Sequence, residues 1–139
     1  PFPFRLLTYR GMSPITLKAR LEKLEIPGLS FRLRRYQLPT RQVGVGVYVV
    51  VDDYRALRPT ELSFRMMVLA ARWSRENPFA AADEAEMVLF NKHVGSTEWW
   101  DAISEKGARV DLDYFLEKFE READLFRKFS RKYWIYTRI

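Results

Sequence analysis

The nine residues from Val43 to Val51 constrain this chain more than any other stretch. They carry no charge, and five valines (Val43, Val45, Val47, Val49 and Val51) stand at alternate positions. Branching at Cβ suits an extended backbone, and a period of two puts those valines on one face of a strand. Gly44, Gly46, Tyr48 and Val50 form the other face. Both faces are apolar or small, which predicts a central strand covered on at least one side. As a helix the run is too short to cross a bilayer, so no membrane partner is expected.

The segments around it suggest what pairs with it. Leu29, Phe31 and Leu33 alternate with Ser30, Arg32 and Arg34, predicting a half-buried strand to about Leu38. Pro39-Thr40 opens a short connection, so residues 29–51 read as a hairpin. Upstream, Phe4 to Tyr9 reads as a strand. Ser13-Pro14 then gives an N-cap and a first helical position, with Leu17, Leu21 and Leu24 on one helical face and Pro27-Gly28 as the stop. Downstream, Thr60 opens a helix to about Glu76 whose stripe is Leu62, Met66, Leu69 and Trp73. Asn77-Pro78 stops that helix and caps a second through Phe79, Ala82, Met87, Phe90 and Val94. Ser96 or Thr97 caps a third through Trp99, Trp100 and Ile103. Asp111 caps the last, with Val110 and Phe115 as a hydrophobic staple and Phe115, Phe119, Ala123, Phe126 and Phe129 as its core stripe. Tyr133 to Ile139 reads as a closing strand.

This order predicts an α+β fold: a four-stranded, mainly antiparallel sheet in a βαββ(ααα)αβ order, a ferredoxin-like variant with helices packed on the sheet. No linker divides the 139 residues, so 1–139 is expected to be a single domain. A chain this long buries about two-thirds of its unfolded surface and needs no disulfide or metal staple.

Several chemistries are excluded by what is missing. There is no cysteine and one histidine, so thiolate sites and metal sites needing two imidazoles are out. His93, near a helix end beside Lys92, suits the helix dipole better than proton transfer. Asp52-Asp53 reads as a turn rather than a cation site, and Lys18 accounts for Glu22 as a helical pair. The glycines of Val43 to Val47 lack the third glycine of a dinucleotide fingerprint and the lysine of a phosphate loop, so no cofactor is expected. Catalytic, cofactor-binding and metal residues are therefore all predicted to be none, and the chain is expected not to be an enzyme. No basic start, apolar core and cleavage site come in succession as in a signal peptide, which predicts a cytoplasmic protein.

What remains is surface. Residues 1–41 hold nine basic and two acidic side chains, residues 81–124 hold five and twelve, and residues 125–139 hold five basic and none acidic. Such bipolar charge suits docking on a protein. Arginine outnumbers lysine 17 to 7, and asparagine and glutamine number two each, the usage of hot-growing organisms. Arg32, Arg34, Arg35 and Arg41 crowd the hairpin, and Arg5, Arg10, Tyr36 and Tyr48 stand near them in sequence. Trp99 and Trp100, about 100° apart around a helix, predict one buried and one exposed indole. Tryptophan and arginine dominate binding hot spots, so Arg32, Arg34, Arg35, Arg41, Trp99 and Trp100 are the candidate partner-binding residues.

The opening stretch Pro1-Phe2-Pro3-Phe4-Arg5-Leu6-Leu7, with the chain's size and charge, resembles the small Thermus-phage proteins that inhibit host RNA polymerase. That resemblance implies a non-enzymatic, phage-encoded regulator in the host cytoplasm. It would dock near the β-subunit flap and the σ factor of bacterial RNA polymerase and inhibit or redirect transcription. The alternative is a nucleic-acid-binding domain that uses the basic hairpin 29–51, although its central strand lacks the aromatic pattern of an RRM.

Overall fold

The computed structural model describes residues 5–135. The elements are β1 (Leu6–Leu7), α1 (Pro14–Glu22), β2 (Leu29–Gln37), β3 (Val43–Val51), α2 (Pro59–Trp73), α3 (Glu84–Val94), α4 (Thr97–Lys106) and α5 (Leu112–Ser130). Short 3-10 turns come after α4 at Gly107–Arg109 and after α5 at Arg131–Tyr133. The chain divides into two compact units, one ending at Leu62 and the other starting at Ser63.

In the first unit β3 is the central strand, as its apolar faces require. β1 pairs antiparallel with it, Leu6 opposite Tyr48 and Leu7 opposite Val47. β2 pairs antiparallel on the other side, from Leu29 opposite Val51 to Gln37 opposite Val43. The sheet order is β1-β3-β2. β1 and β2 therefore run parallel with β3 between them, and α1 is the crossover that joins them. That helix begins where its cap predicts: the Ser13 hydroxyl accepts the Thr16 N–H at 3.1 Å and Pro14 takes the first position. α1 packs on β2 and β3, and Leu17, Leu21, Ile26, Phe31, Val47 and Val49 are buried. At Gly28, with φ +75°, the backbone passes so near the Asp52-Asp53 turn that its carbonyl accepts both their N–H groups, at 2.9 and 3.3 Å. Only glycine fits so close an approach at that φ.

The second unit is helical. Its core is Phe64, Val68, Trp99, Ile103, Val110 and Phe115. Trp99 stacks on Phe64 with ring centres 4.3 Å apart and meets Phe115 edge-on at 5.0 Å. Its indole N–H points at the Met67 sulfur, 3.1 Å away. Trp100 packs against Phe90 and Phe79 at 4.8 and 6.1 Å. Val110 and Phe115 are both buried, as a staple around the Asp111 cap requires.

Several expectations are corrected. The sheet has three strands among the described residues, not four. Where a closing strand was predicted from Tyr133, Arg131–Tyr133 form a 3-10 turn; positions 136–139 lie outside the described residues. Local contacts favour that turn: the Trp134 indole N–H bonds the Ser130 hydroxyl at 3.2 Å, and the Lys132 ammonium lies over the Phe129 and Tyr133 rings. The first strand is shorter than predicted, and Phe4 also lies outside the described residues.

The helix expected from Phe79 starts instead at Glu84. Asp83 and Glu86 form a reciprocal capping box there. Asn77 still closes a local turn, where its side-chain oxygen accepts the Phe79 N–H at 3.1 Å, but its amide donates to the carbonyls of Ile103 and Ser104 at 2.8 and 2.9 Å, closing the C-terminus of α4. The stripe of α5, finally, is buried only at its start. Phe115 is in the core, whereas Phe126 and Phe129 are 70% and 62% exposed.

Candidate functional site

The period of two along β2 and β3 sorts the hairpin's side chains. Phe31, Leu33, Arg35 and Gln37 share a face with the alternate valines. Ser30, Arg32, Arg34 and Tyr36 share the other with Gly44, Gly46, Tyr48 and Val50. Arg32 stands opposite Tyr48 in register, and the Arg34 guanidinium lies over the Tyr48 ring, 5.3 Å from its centre. Arg5, beside β1, donates to the Tyr54 hydroxyl at 3.4 Å. The hydrogen bonds it donates, to Tyr54 first and then to Tyr48, hold the Arg5 charge even more firmly than usual.

Two glycines make room for this face. A Cβ on Gly44 would lie 2.8 Å from the Tyr36 ring, so that ring rests directly on the strand. A Cβ on Gly46 would lie 3.0 Å from the Leu6 side chain. The small residues that looked like a failed nucleotide loop are seats for the neighbouring side chains. The result is a strip of three arginines and three tyrosines, with no acidic residue on this face of β2 or β3. Guanidinium forks match carboxylates, and tyrosine rings offer flat apolar surface.

The predicted partner-binding residues do not converge. Arg32 and Arg34 are on this strip. Arg35 projects from the opposite face, and Arg41 sits in the connecting turn with φ +66°. Trp99 and Trp100 are 0% and 7% exposed, which corrects the expectation of one exposed indole. Aromatic side chains meet α4 from both sides: Phe64 and Phe115 enclose Trp99, and Phe79 and Phe90 enclose Trp100. Tyr54 joins the strip unforeseen, since only its place after the Asp52-Asp53 turn marked it in the sequence.

The second unit holds an open cleft of about 390 Å³ lined by Glu98, Asp101, Glu105, Asp111 and Tyr114 over Val110 and Phe115. Two of its carboxylates have structural partners. Glu98 is bonded by the Lys118 ammonium and by the Tyr114 hydroxyl, and these, Lys118 foremost, hold its carboxyl below the usual range. Asp111 caps α5 by accepting the Tyr114 N–H at 3.1 Å. Among the remaining candidates, His93 Nδ1 lies 2.7 Å from the Leu89 carbonyl at the end of α3. Asp53 accepts the Arg55 N–H at 2.8 Å in the turn.

Residues 1–136 match the family model of the C-terminal region of the exo-β-N-acetylmuramidase NamZ. The chain belongs to this family. Among solved structures it is similar to a DUF1343 family protein from Bacteroides fragilis, with a TM-score of 0.78 and 24% identity. That likeness concerns the fold, and it covers 99% of this chain and 36% of the other. The chain thus spans about a third of the length of the solved protein it resembles. No curated protein matches it.

Family membership overturns the functional expectation. The resemblance to phage inhibitors of RNA polymerase fails, because a family model named for a glycosidase covers nearly the whole chain. With it go the phage of hot-growing bacteria, the non-enzymatic regulator of transcription and the host polymerase as partner. The nucleic-acid alternative on hairpin 29–51 gains nothing from either match. The expectation of no enzyme is likewise corrected, since the family is an enzymatic one. A seven-residue opening stretch and the chain's size, on which the resemblance rested, carry no diagnostic motif.

Proposed function

We propose that this chain serves an exo-β-N-acetylmuramidase, a glycosidase that removes N-acetylmuramic acid from the end of a β-linked glycan. The observation that carries this reading is the family match over residues 1–136. Glycoside hydrolysis needs a carboxylic acid to protonate the leaving oxygen and a carboxylate to act on the sugar. The acid must keep its proton near neutral pH, and Glu98 is shifted the wrong way for that role. Within that activity we assign this chain a part in holding the sugar. Its arginine–tyrosine strip supplies the groups such a task needs: fixed positive charge for an acidic substituent and aromatic surface for a pyranose ring.

The test is hydrolysis of 4-methylumbelliferyl β-N-acetylmuramide by the protein that carries this chain, with the matching β-N-acetylglucosaminide as control. Release of fluorophore from the muramide, well above release from the glucosaminide, is expected. No release from the muramide, or equal release from both, overturns the reading.

A further inference from the structure

The apolar stripe of α5 runs on past the core it serves. Phe115, Leu116 and Phe119 pack into the second unit. Phe126 comes seven residues after Phe119, about two turns, so it stands on nearly the same line of the helix. Leu125, Phe126 and Phe129 share an arc of about 100° there. The Tyr133 ring meets Phe129 edge-on, with centres 6.1 Å apart, and extends the surface. Each of these four side chains is more than three-fifths exposed. At about 200 Å² per aromatic side chain, the three rings alone leave about 400 Å² of apolar surface in water. Single apolar side chains on a surface need no explanation, but a patch of this size marks an interaction site.

The charges along this surface have one sign. From Leu125 to Ile135 the sequence holds Arg127, Lys128, Arg131 and Lys132 and no acid. Arg127 pairs with Asp124 at 2.7 Å, and Lys128, Arg131 and Lys132 are exposed. The Lys132 ammonium lies 4.4 Å from the centre of the Phe129 ring and 4.9 Å from that of Tyr133. Lys128, three residues after Leu125, borders the same arc. Glu122, one turn before Phe126, marks where the surface begins. This pattern selects the occupant. A second copy of the segment would bring two sets of four cations together with no acid between them, which is repulsive. A protein partner fits poorly, because lysine is depleted at the centre of protein interfaces, and here lysines stand on and beside the rings. An anionic lipid surface supplies both halves of the match. Its phosphates meet the cations, its acyl boundary takes the rings, and lysine stems let the ammonium groups reach back to the headgroups. No helix among the described residues is long and apolar enough to cross a bilayer, but lying on one needs only a two-sided helix end.

We propose that the C-terminal end of α5, from Leu125 to Ile135, docks the protein on an anionic phospholipid surface. Leu125, Phe126, Phe129, Tyr133 and Ile135 enter the boundary between headgroups and acyl chains. Lys128, Arg131 and Lys132 take the lipid phosphates. The binding is peripheral and reversible. It is independent of the glycosidase reading, since it uses no residue of the arginine–tyrosine strip and its test measures no hydrolysis.

The experiment is co-sedimentation of the protein that carries this chain with two kinds of vesicle: phosphatidylcholine alone, and phosphatidylcholine with phosphatidylglycerol at three to one. Wild type should bind the phosphatidylglycerol vesicles, bind phosphatidylcholine little, and lose affinity as salt is added. Phe126→Ala should weaken binding about tenfold, as expected for a ring that no longer leaves water, and Phe126→Leu should restore most of it. Lys128→Ala and Lys132→Ala should each cost about fivefold on the anionic vesicles. Ile15→Ala, which removes an exposed apolar side chain from α1, is the control and should change nothing. Lipids brominated on their acyl chains should quench tryptophan fluorescence, and Trp134→Phe should remove that quenching, because Trp99 and Trp100 are buried. Circular dichroism of each variant shows that the helices persist. Four outcomes each overturn the proposal: no binding to anionic vesicles, equal binding to both kinds, full binding by a folded Phe126→Ala, Phe129→Ala double variant, or full binding by the double lysine variant. A protein that leaves vesicles alone and sediments as a dimer lost in Phe126→Ala overturns it in favour of a second copy.

Discussion

Replacing Gly28 by alanine tests the first unit at its tightest point. The new Cβ would lie 2.4 Å from the Asp53 carbonyl oxygen and 3.0 Å from the Leu57 nitrogen. Both are backbone atoms, and they bond each other at 3.1 Å, so neither can swing away as a side-chain end would. The φ of +75° adds about 1–2 kcal/mol for any residue with a Cβ. Pushing the two backbone segments apart also lengthens the two bonds from Asp52 and Asp53 to the Gly28 carbonyl, each worth about 1 kcal/mol. Alanine recovers about 0.4–1 kcal/mol by restricting the unfolded chain. The net loss expected is about 3 kcal/mol. Gly11→Ala is the internal control: its φ is +78°, but nothing lies within 4 Å of the new Cβ, so it should cost only about 1 kcal/mol. All four tryptophans (Trp73, Trp99, Trp100 and Trp134) lie after Ser63, so fluorescence reads the other unit. Amide exchange of β2 and β3, backed by urea titration with an unchanged slope, is the right measure. If Gly28→Ala and Gly11→Ala fall within about 0.5 kcal/mol of each other, the close approach is not what holds this turn.

Other perturbations read the second unit. Trp99→Ala empties a site enclosed by Phe64 and Phe115 and should cost about 3–5 kcal/mol in urea unfolding monitored by circular dichroism; a loss below about 1 kcal/mol contradicts its central place. Asn77→Asp removes the only donor that reaches the Ile103 and Ser104 carbonyls from that side chain and brings a charge to them, so it should destabilise more than Asn77→Ala; the reverse order denies the cap. For the Glu98–Lys118 pair the signs are opposite. The folded Glu98 carboxyl is lowered, so its contribution is present above the ordinary carboxylate value and disappears as pH falls through the folded one. The folded Lys118 ammonium is raised, so its contribution is present below the ordinary lysine value and disappears as pH rises through the folded one. Glu98→Gln should flatten the acid limb of melting temperature against pH at low salt; an unchanged limb means the pair contributes nothing.

Much of the fold was legible because it depends on local chemistry. Val43–Val51 announced its strand through β-branching and its central place through two apolar faces. Ser13-Pro14 and Asp111 announced helix starts, because a side-chain oxygen that satisfies an orphan N–H acts within three residues. The failures involve distance. Asn77 read as the cap of the next helix, but it closes only a turn at Phe79, and its amide also reaches carbonyls 26 and 27 residues away. The Phe126 and Phe129 positions continue the period of α5 past the point where that helix has a core to cover. Period alone says which side chains share a stripe, never how far along the stripe the core extends.

The arginine strip shows the same limit in the functional reading. Counting basic residues in the hairpin put Arg32, Arg34, Arg35 and Arg41 in one patch. The strand's alternation removes Arg35 to the valine face, and the turn carries Arg41 away. What is left is narrower and more specific. Two arginines at one spacing share a face with a tyrosine of β3 and one of β2 itself, and Arg5 meets the tyrosine of the turn after Val51. Composition cannot distinguish that from a diffuse basic surface, because both have the same charge. Register can: moving Arg34 by one residue would exchange its place over Tyr48 for the face packed by α1. The chemistry of the site is thus set less by which residues the hairpin contains than by the parity of their positions against Tyr48.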